Sequence, residues 1–284
     1  MMSLRELPAR ATAALLLAGA VMITNLAGAQ LSNPAVADSQ TPRAITEFGS
    51  FHRPPDYSFY GPQQAKGVIV WSHGTPSLGE CDRQLRAAPA FITRFNLDGW
   101  DILRFDRDPC FDQINQAVAE IATSLPQLQA AGYRRIVLAG QSRGAWHSLA
   151  ALSVPGLAAY VSAVIGISPA KHGTKLRYVT ETGSYEWNVL LDHLAAPRVS
   201  IALIFFPQDP YIPDAPQRAA HAASALAQNG NPAVVIYETE GAGVGHGGAG
   251  NVRFTEKYSA CLIRFVDAGE RIGPCATGGI AAGR

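Results

Sequence analysis

Residues 140–144 read Gly-Gln-Ser-Arg-Gly, a G-x-S-x-G run that places a serine hydroxyl between two glycines. A serine hydroxyl is a weak nucleophile at neutral pH and needs a base within hydrogen-bond reach. Histidine titrates near neutrality and can take that proton and return it to a leaving group. A buried carboxylate behind the imidazole fixes its tautomer and steadies the imidazolium. Ahead of the run lies Ile136-Val137-Leu138, branched and apolar, the composition of a strand buried on both faces. Behind it, Ala145–Ala151 reads as a helix start. A G-x-S-x-G run between strand and helix holds the serine on a sharp turn at a helix N-terminus, where the dipole favours developing negative charge. A Cβ at 140 or 144 would crowd the neighbouring strand or helix. The plainer alternative is a serine that only caps the helix. The choice depends on whether an acid and a histidine follow in usable places.

The chain has 284 residues, 48% of them hydrophobic and 16% charged, which describes a globular protein with a sizeable core. Met1–Ala29 stands apart. Arg5 and Arg10 give it a basic start, Ala11–Ile23 is almost wholly apolar, and Leu26-Ala27-Gly28-Ala29 ends it in small residues. This pattern predicts a secretory signal peptide cleaved after Ala29, and hence a secreted or periplasmic protein. The alternative is an uncleaved anchor, for which the apolar core is short against the ~30 Å of a bilayer interior. Without that segment the basic and acidic residues balance, so neither nucleic acid nor an anionic membrane is expected as a partner. Four cysteines in an exported chain, Cys81, Cys110, Cys261 and Cys275, suggest two disulfides.

The elements that must position the serine follow in order. Gln30–Arg43 is polar and proline-containing, a flexible lead-in. Ile45–Tyr60 suits an opening hairpin or edge strands. Strands are predicted over Gly67–Ser72, Trp100–Phe105, the run Ile136-Val137-Leu138, Tyr160–Ile167, Val199–Phe206 and Ala233–Tyr237, and helices over Arg83–Asn96, Ile114–Ala131, Gln217–Gln228 and Asn251–Ala268. Lys171–Arg198 breaks this rhythm as a long polar connection. Strands alternating with helices predict an α/β domain over 44–284, its mostly parallel central sheet flanked by helices on both faces.

From about Gly67 to Ala268 the sequence resembles the α/β-hydrolase fold superfamily, in its serine hydrolase, esterase-like form. Three features carry the likeness: His73-Gly74 after one strand, Gly140–Gly144 after the next but one, and an acid followed by a histidine near the end. The resemblance implies a Ser-Asp-His triad. Ser142 is its nucleophile. Asp209, in the turn Pro207–Pro213 after a strand, is its acid, with Asp214 as runner-up. Of the seven histidines only His221 and His246 follow Asp209. His221 falls inside a helical run, whereas His246 sits in a glycine-rich loop after the last strand and is the expected base. By resemblance the oxyanion donors are the backbone N–H groups of Thr75 and Arg143, with His73 positioning the loop. The Arg143 side chain could brace neighbouring loops or meet an anionic substrate. The fold favours Cys81–Cys110 and Cys261–Cys275 as the disulfides. Residues 171–198 stand where this family inserts a small cap, and Trp187 or Tyr185 is expected to face the substrate. Asp106, Arg107 and Asp108 read as charges of a solvated loop, and Trp146 and His147 as packing residues.

The function so implied is an exported serine hydrolase that cleaves an ester or related acyl bond through an acyl-Ser142 intermediate. It would need no cofactor and no metal, and would act on a small-molecule or polymeric acyl substrate. The alternatives are an extracellular acyltransferase or a peptidase using the same triad, and a non-catalytic binding module on the same fold. Nothing in the sequence bears on oligomeric state.

Overall fold

A computed structural model describes residues 46–75, 87–107, 112–173, 181–194 and 196–277. The leader Met1–Ala29, the lead-in Gln30–Arg43, Asp108, and both Cys81 and Cys110 lie outside the described residues. So does the 174–180 part of the predicted insertion.

Eight strands form one sheet: β1 (Thr46–Phe48), β2 (Phe51–His52), β3 (Val68–Ser72), β4 (Asp101–Phe105), β5 (Ile136–Gln141), β6 (Ala163–Ile167), β7 (Ser200–Phe205) and β8 (Ala233–Tyr237). Their order is β1-β2-β4-β3-β5-β6-β7-β8. β1 and β2 form an antiparallel hairpin, β2 pairs antiparallel with β4, and the strands from β4 to β8 in that order are parallel. This is the α/β sheet expected, with the opening hairpin as its edge.

The parallel strands are apolar along most of their length because both faces are covered, Asp101 and Arg104 of β4 being the charged exceptions. On β3, Val68 and Val70 join one core while Ile69 and Trp71 join the other, the period of two that a pleated strand imposes. The first core is roofed by α2 (Ile114–Ala130), α3 (Arg143–Leu152), α4 (Gly183–Asp192) and α5 (Ala215–Gln228), through residues such as Leu125, Leu149, Trp187 and Leu226. The second is roofed by α1 (Ala90–Leu97), α6 (Val252–Ala268) and α7 (Pro274–Thr277), through Phe91, Phe95, Phe254 and Phe265. A disulfide joins Cys261 of α6 to Cys275 of α7.

α2 runs through Pro126 as the sequence predicts, although the ring removes one helical hydrogen bond at a cost of about 3 kcal/mol. Burying Ile121, Leu125 and Leu128 on the same helix offsets that, at about 1.5–3 kcal/mol each. The strand predicted from Tyr160 begins only at Ala163. Gly156, at φ +83°, turns the chain into a short 3-10 segment over Leu157–Tyr160 first. Within the predicted insertion, α4 packs on α5 as part of the helix layer. Trp187 does not face a substrate. It is wholly buried against Trp146 and Phe205, and its indole N–H donates to the Arg218 carbonyl. Tyr185, on the same helix, is exposed.

Candidate active site

Ser142 leaves β5 at φ 57°, ψ −123°, a left-handed backbone rare for any residue with a side chain. Its N–H donates to the Ile167 carbonyl at 2.8 Å, and its own carbonyl accepts from Trp146 at 3.1 Å as α3 begins. The strained turn is held from both ends. It also requires both flanking glycines. A Cβ at Gly140 would lie 2.5 Å from the Gly144 carbonyl carbon, and one at Gly144 only 2.0 Å from the Ser72 oxygen. The close approach expected at these two positions is therefore to backbone atoms, which cannot swing aside.

Gly74 closes another side of the serine. A Cβ there would sit 3.1 Å from Ser142 Cβ, so the 73–75 segment after β3 lies directly against the nucleophile candidate. Thr75 follows in that segment, and Arg143 follows Ser142 in the elbow. His73 is turned away from acid–base work. Its Nδ1 lies 2.6 Å from the Gly74 carbonyl, and burial, with the Arg107 guanidinium nearby, lowers its pKa below the ordinary histidine value.

Asp209 follows β7 in a turn opened by Gln208 at φ 58°. The residue is buried, and its Oδ1 accepts the Tyr211 N–H at 2.9 Å. His246 comes in from the loop after β8. Its Nδ1 lies 3.0 and 2.9 Å from the two Asp209 carboxylate oxygens. A carboxylate only accepts, so Nδ1 carries a hydrogen, and in the neutral form of the ring Nε2 is the acceptor. Nε2 has no hydrogen-bond partner among the described residues. The backbone of His246 is tied to the elbow, because Gln141 Nε2, one residue before Ser142, donates to the His246 carbonyl at 2.8 Å. Gly245 N–H donates to Pro207 O at 2.8 Å and joins the histidine loop to the acid turn. Tyr211 packs against the imidazole with ring centroids 4.2 Å apart and planes tilted by 36°.

The other candidates are occupied elsewhere. Asp214 stands at the N-cap position of α5 without a side-chain capping bond, and accepts from Arg218 Nε at 3.0 Å and from the Ser184 hydroxyl. His221, on α5, pairs with Asp192 at 3.0 Å. The Arg143 guanidinium braces a loop, donating to the Asp112 carbonyl at 2.9 Å. Arg107 corrects the sequence reading. It is not part of a solvated loop but buried, in an ion pair with Asp112 at 2.8 Å. Asp106 pairs with Arg104 at 2.7 Å.

Three contributors were not singled out in the sequence: Gln141, Tyr211 and Glu238. Glu238, buried at the end of β8, accepts the N–H groups of Glu240 and Ala242 and binds Tyr258 and Lys257 of α6. It thereby pins the root of the His246 loop. Burial opposes its ionisation, but the Tyr258 hydroxyl, Lys257 and the two amides hold its carboxyl below the usual range. Gln141 was in view as the second letter of the serine motif, whereas a lone Glu after a strand carries no signal.

No protein-family model matches the chain, and no curated protein sequence matches it. Solved structures do. A puromycin-hydrolyzing peptidase of Mycobacterium tuberculosis is similar over 76% of this chain and 37% of its own, with 17% identity and a TM-score of 0.52. An esterase of Pyrococcus furiosus aligns over 71% of this chain and 80% of its own, at 13% identity and TM-score 0.51. Est1E of Butyrivibrio proteoclasticus aligns over 72% and 90%, at 15% identity and TM-score 0.50. The chain thus spans little more than a third of the peptidase and most of the two other proteins. At these identities the likeness speaks for the fold: the chain has the α/β-hydrolase fold.

Proposed function

We propose that the protein is a serine hydrolase of the α/β-hydrolase type that cleaves an ester or related acyl bond. Ser142 is the nucleophile, His246 the general base and Asp209 the acid that orients it. The observation that carries this reading is the Asp209–His246 pair. It is hydrogen bonded through Nδ1, leaves Nε2 without a described partner, and is tethered to Gln141, the residue before a serine in strained left-handed backbone. The neighbouring structures include an esterase and a peptidase, which supports acyl chemistry as the class.

In the forward step Ser142 Oγ attacks the acyl carbonyl carbon while its proton passes to His246 Nε2. The tetrahedral oxyanion is met by the backbone N–H groups of Thr75 and Arg143. Collapse expels the alcohol, which takes the proton from His246, and leaves acyl-Ser142. Water then repeats the sequence and releases the acid. The leader Met1–Ala29 makes the protein an exported one in this reading. The test is turnover of a short-chain aryl ester under pre-steady-state conditions. A burst of one phenol per protein, absent in Ser142→Ala, is expected; steady turnover by Ser142→Ala at the wild-type rate would remove the serine from its role.

A further inference from the structure

Resting on the serine-hydrolase reading, we infer that Arg107 and Asp112 are positioning residues that hold both oxyanion donors through one buried ion pair. The two residues whose amides serve as donors are each tethered by their side chains to Asp112. Thr75 Oγ1 donates to Asp112 Oδ2 at 2.9 Å, and Arg143 Nη1 donates to the Asp112 carbonyl at 2.9 Å. Arg107 fixes Asp112 in turn, with Nε 2.8 Å from Oδ1 and Nη2 3.2 Å from Oδ2. Its remaining reach goes to the strand that launches the donor loop, with Nη1 to Ser72 Oγ at 2.6 Å and Nη2 to the His73 carbonyl at 2.7 Å.

The side chains of Arg107 and Asp112 are 3% and 4% exposed, so solvent does little to screen them. Burial opposes ionisation of Asp112, yet the Arg107 guanidinium, its hydrogen bonds and the Thr75 hydroxyl keep the carboxyl below its ordinary range. A planar guanidinium with four placed hydrogen bonds is a rigid spacer that lysine cannot copy. Oxyanion donors act through preorganisation, so a loop free to drift loses transition-state stabilisation while substrate binding stays largely intact.

Two variants test this. Asp112→Asn removes the charge that pairs with Arg107 and accepts from Thr75, and leaves the main-chain carbonyl that accepts from Arg143. Thr75→Val removes one exposed hydroxyl and leaves the ion pair whole, so it keeps the proposal testable if Asp112→Asn does not fold. Each is measured for kcat and KM on an aryl ester, for inhibition by phenylboronic acid as a tetrahedral mimic, and for 15N order parameters of Gly74 and Thr75. Expected are a tenfold to hundredfold fall in kcat with KM within about twofold, and an equal weakening of boronate binding. The two amides should also become more mobile than those of Val68–Ser72. A merely structural role would not move kcat and boronate affinity together at constant KM. Folded variants with unchanged kcat, boronate affinity and order parameters would overturn the inference. Failure of the hydrolase reading shows differently, as Ser142→Ala with wild-type turnover. The order parameters then decide the tether alone, unchanged values counting against it.

Discussion

Asp209 and Asp112 are both carboxylates with buried side chains and a histidine close by, and their surroundings give them opposite work. Asp209 offers its two oxygens to the imidazole of His246 at 3.0 and 2.9 Å, and that ring is partly open to solvent with its far nitrogen unpartnered among the described residues. Asp112 gives its charge to Arg107, and Nε2 of its histidine, His147, stands 3.7 Å from Oδ1. Neither ring nitrogen of His147 has a hydrogen-bond partner among the described residues, and the side chain is wholly buried. Burial, reinforced by the Arg107 charge, drops the pKa of His147 to about 3, so this ring is neutral at neutral pH. An aspartate beside a histidine is therefore not in itself a catalytic pair. What separates the two is where the negative charge is spent: on an imidazole proposed to move a proton, or on a buried guanidinium that braces a loop.

The largest effects should come from the open pair and its serine. Ser142→Ala and His246→Ala are each expected to lower kcat about 10^4- to 10^6-fold, read from aryl-ester turnover. Asp209→Asn should cost about 10^4-fold with the fold intact, because the amide can stabilise the wrong tautomer of His246. Asp112→Asn should cost two to three powers of ten less. Equal losses for the two asparagine variants would erase the distinction.

The closed pair should show itself in stability. His147 binds a proton in the unfolded chain below about pH 6.5 but in the folded chain only near pH 3. The unfolded state then takes up more protons in that window, so stability is complete above pH 6.5 and falls as the pH drops towards 3. A loss of a few kcal/mol between pH 6.5 and 4, measured by urea unfolding, should flatten in His147→Leu. An identical slope in the variant would assign the acid sensitivity to other groups. Away from both pairs, replacing Cys261 and Cys275 together by alanine should cost about 3 kcal/mol of unfolding free energy, for a loop of 14 residues, and leave turnover unchanged. The smallest effect belongs to Tyr211→Leu. Loss of the ring packed against His246 should lower kcat/KM twofold to tenfold, in keeping with about 0.5–1.5 kcal/mol for an aromatic contact.

Much of the scaffold was legible because burial leaves a period in the residues. β8 was read at Ala233–Tyr237 without error, and α6 to within one residue at its start, where the Asn251 side chain caps the helix by accepting from Arg253 N–H. The strained serine turn was legible because backbone crowding leaves glycine as the only residue that fits at 140 and 144. The buried ion pair was not. Charges after a strand are usually solvated, and nothing in Arg107 or Asp112 as letters tells that the 73–75 loop and α3 close over them. Trp187 misled for a related reason. A tryptophan in a polar connection suggests a ligand surface, but an amphipathic helix there buries it between Trp146 and Phe205. Side-chain tethers such as Gln141 to His246, 105 positions apart, depend on tertiary contact alone.

The most direct test of Ser142 as the reacting atom is the site of covalent modification by a fluorophosphonate, mapped by mass spectrometry of the native protein. One adduct per chain on Ser142, lost in Ser142→Ala and slowed at least a thousandfold in His246→Ala, is the predicted result. An adduct on another residue, or a folded protein that takes no label, would contradict it.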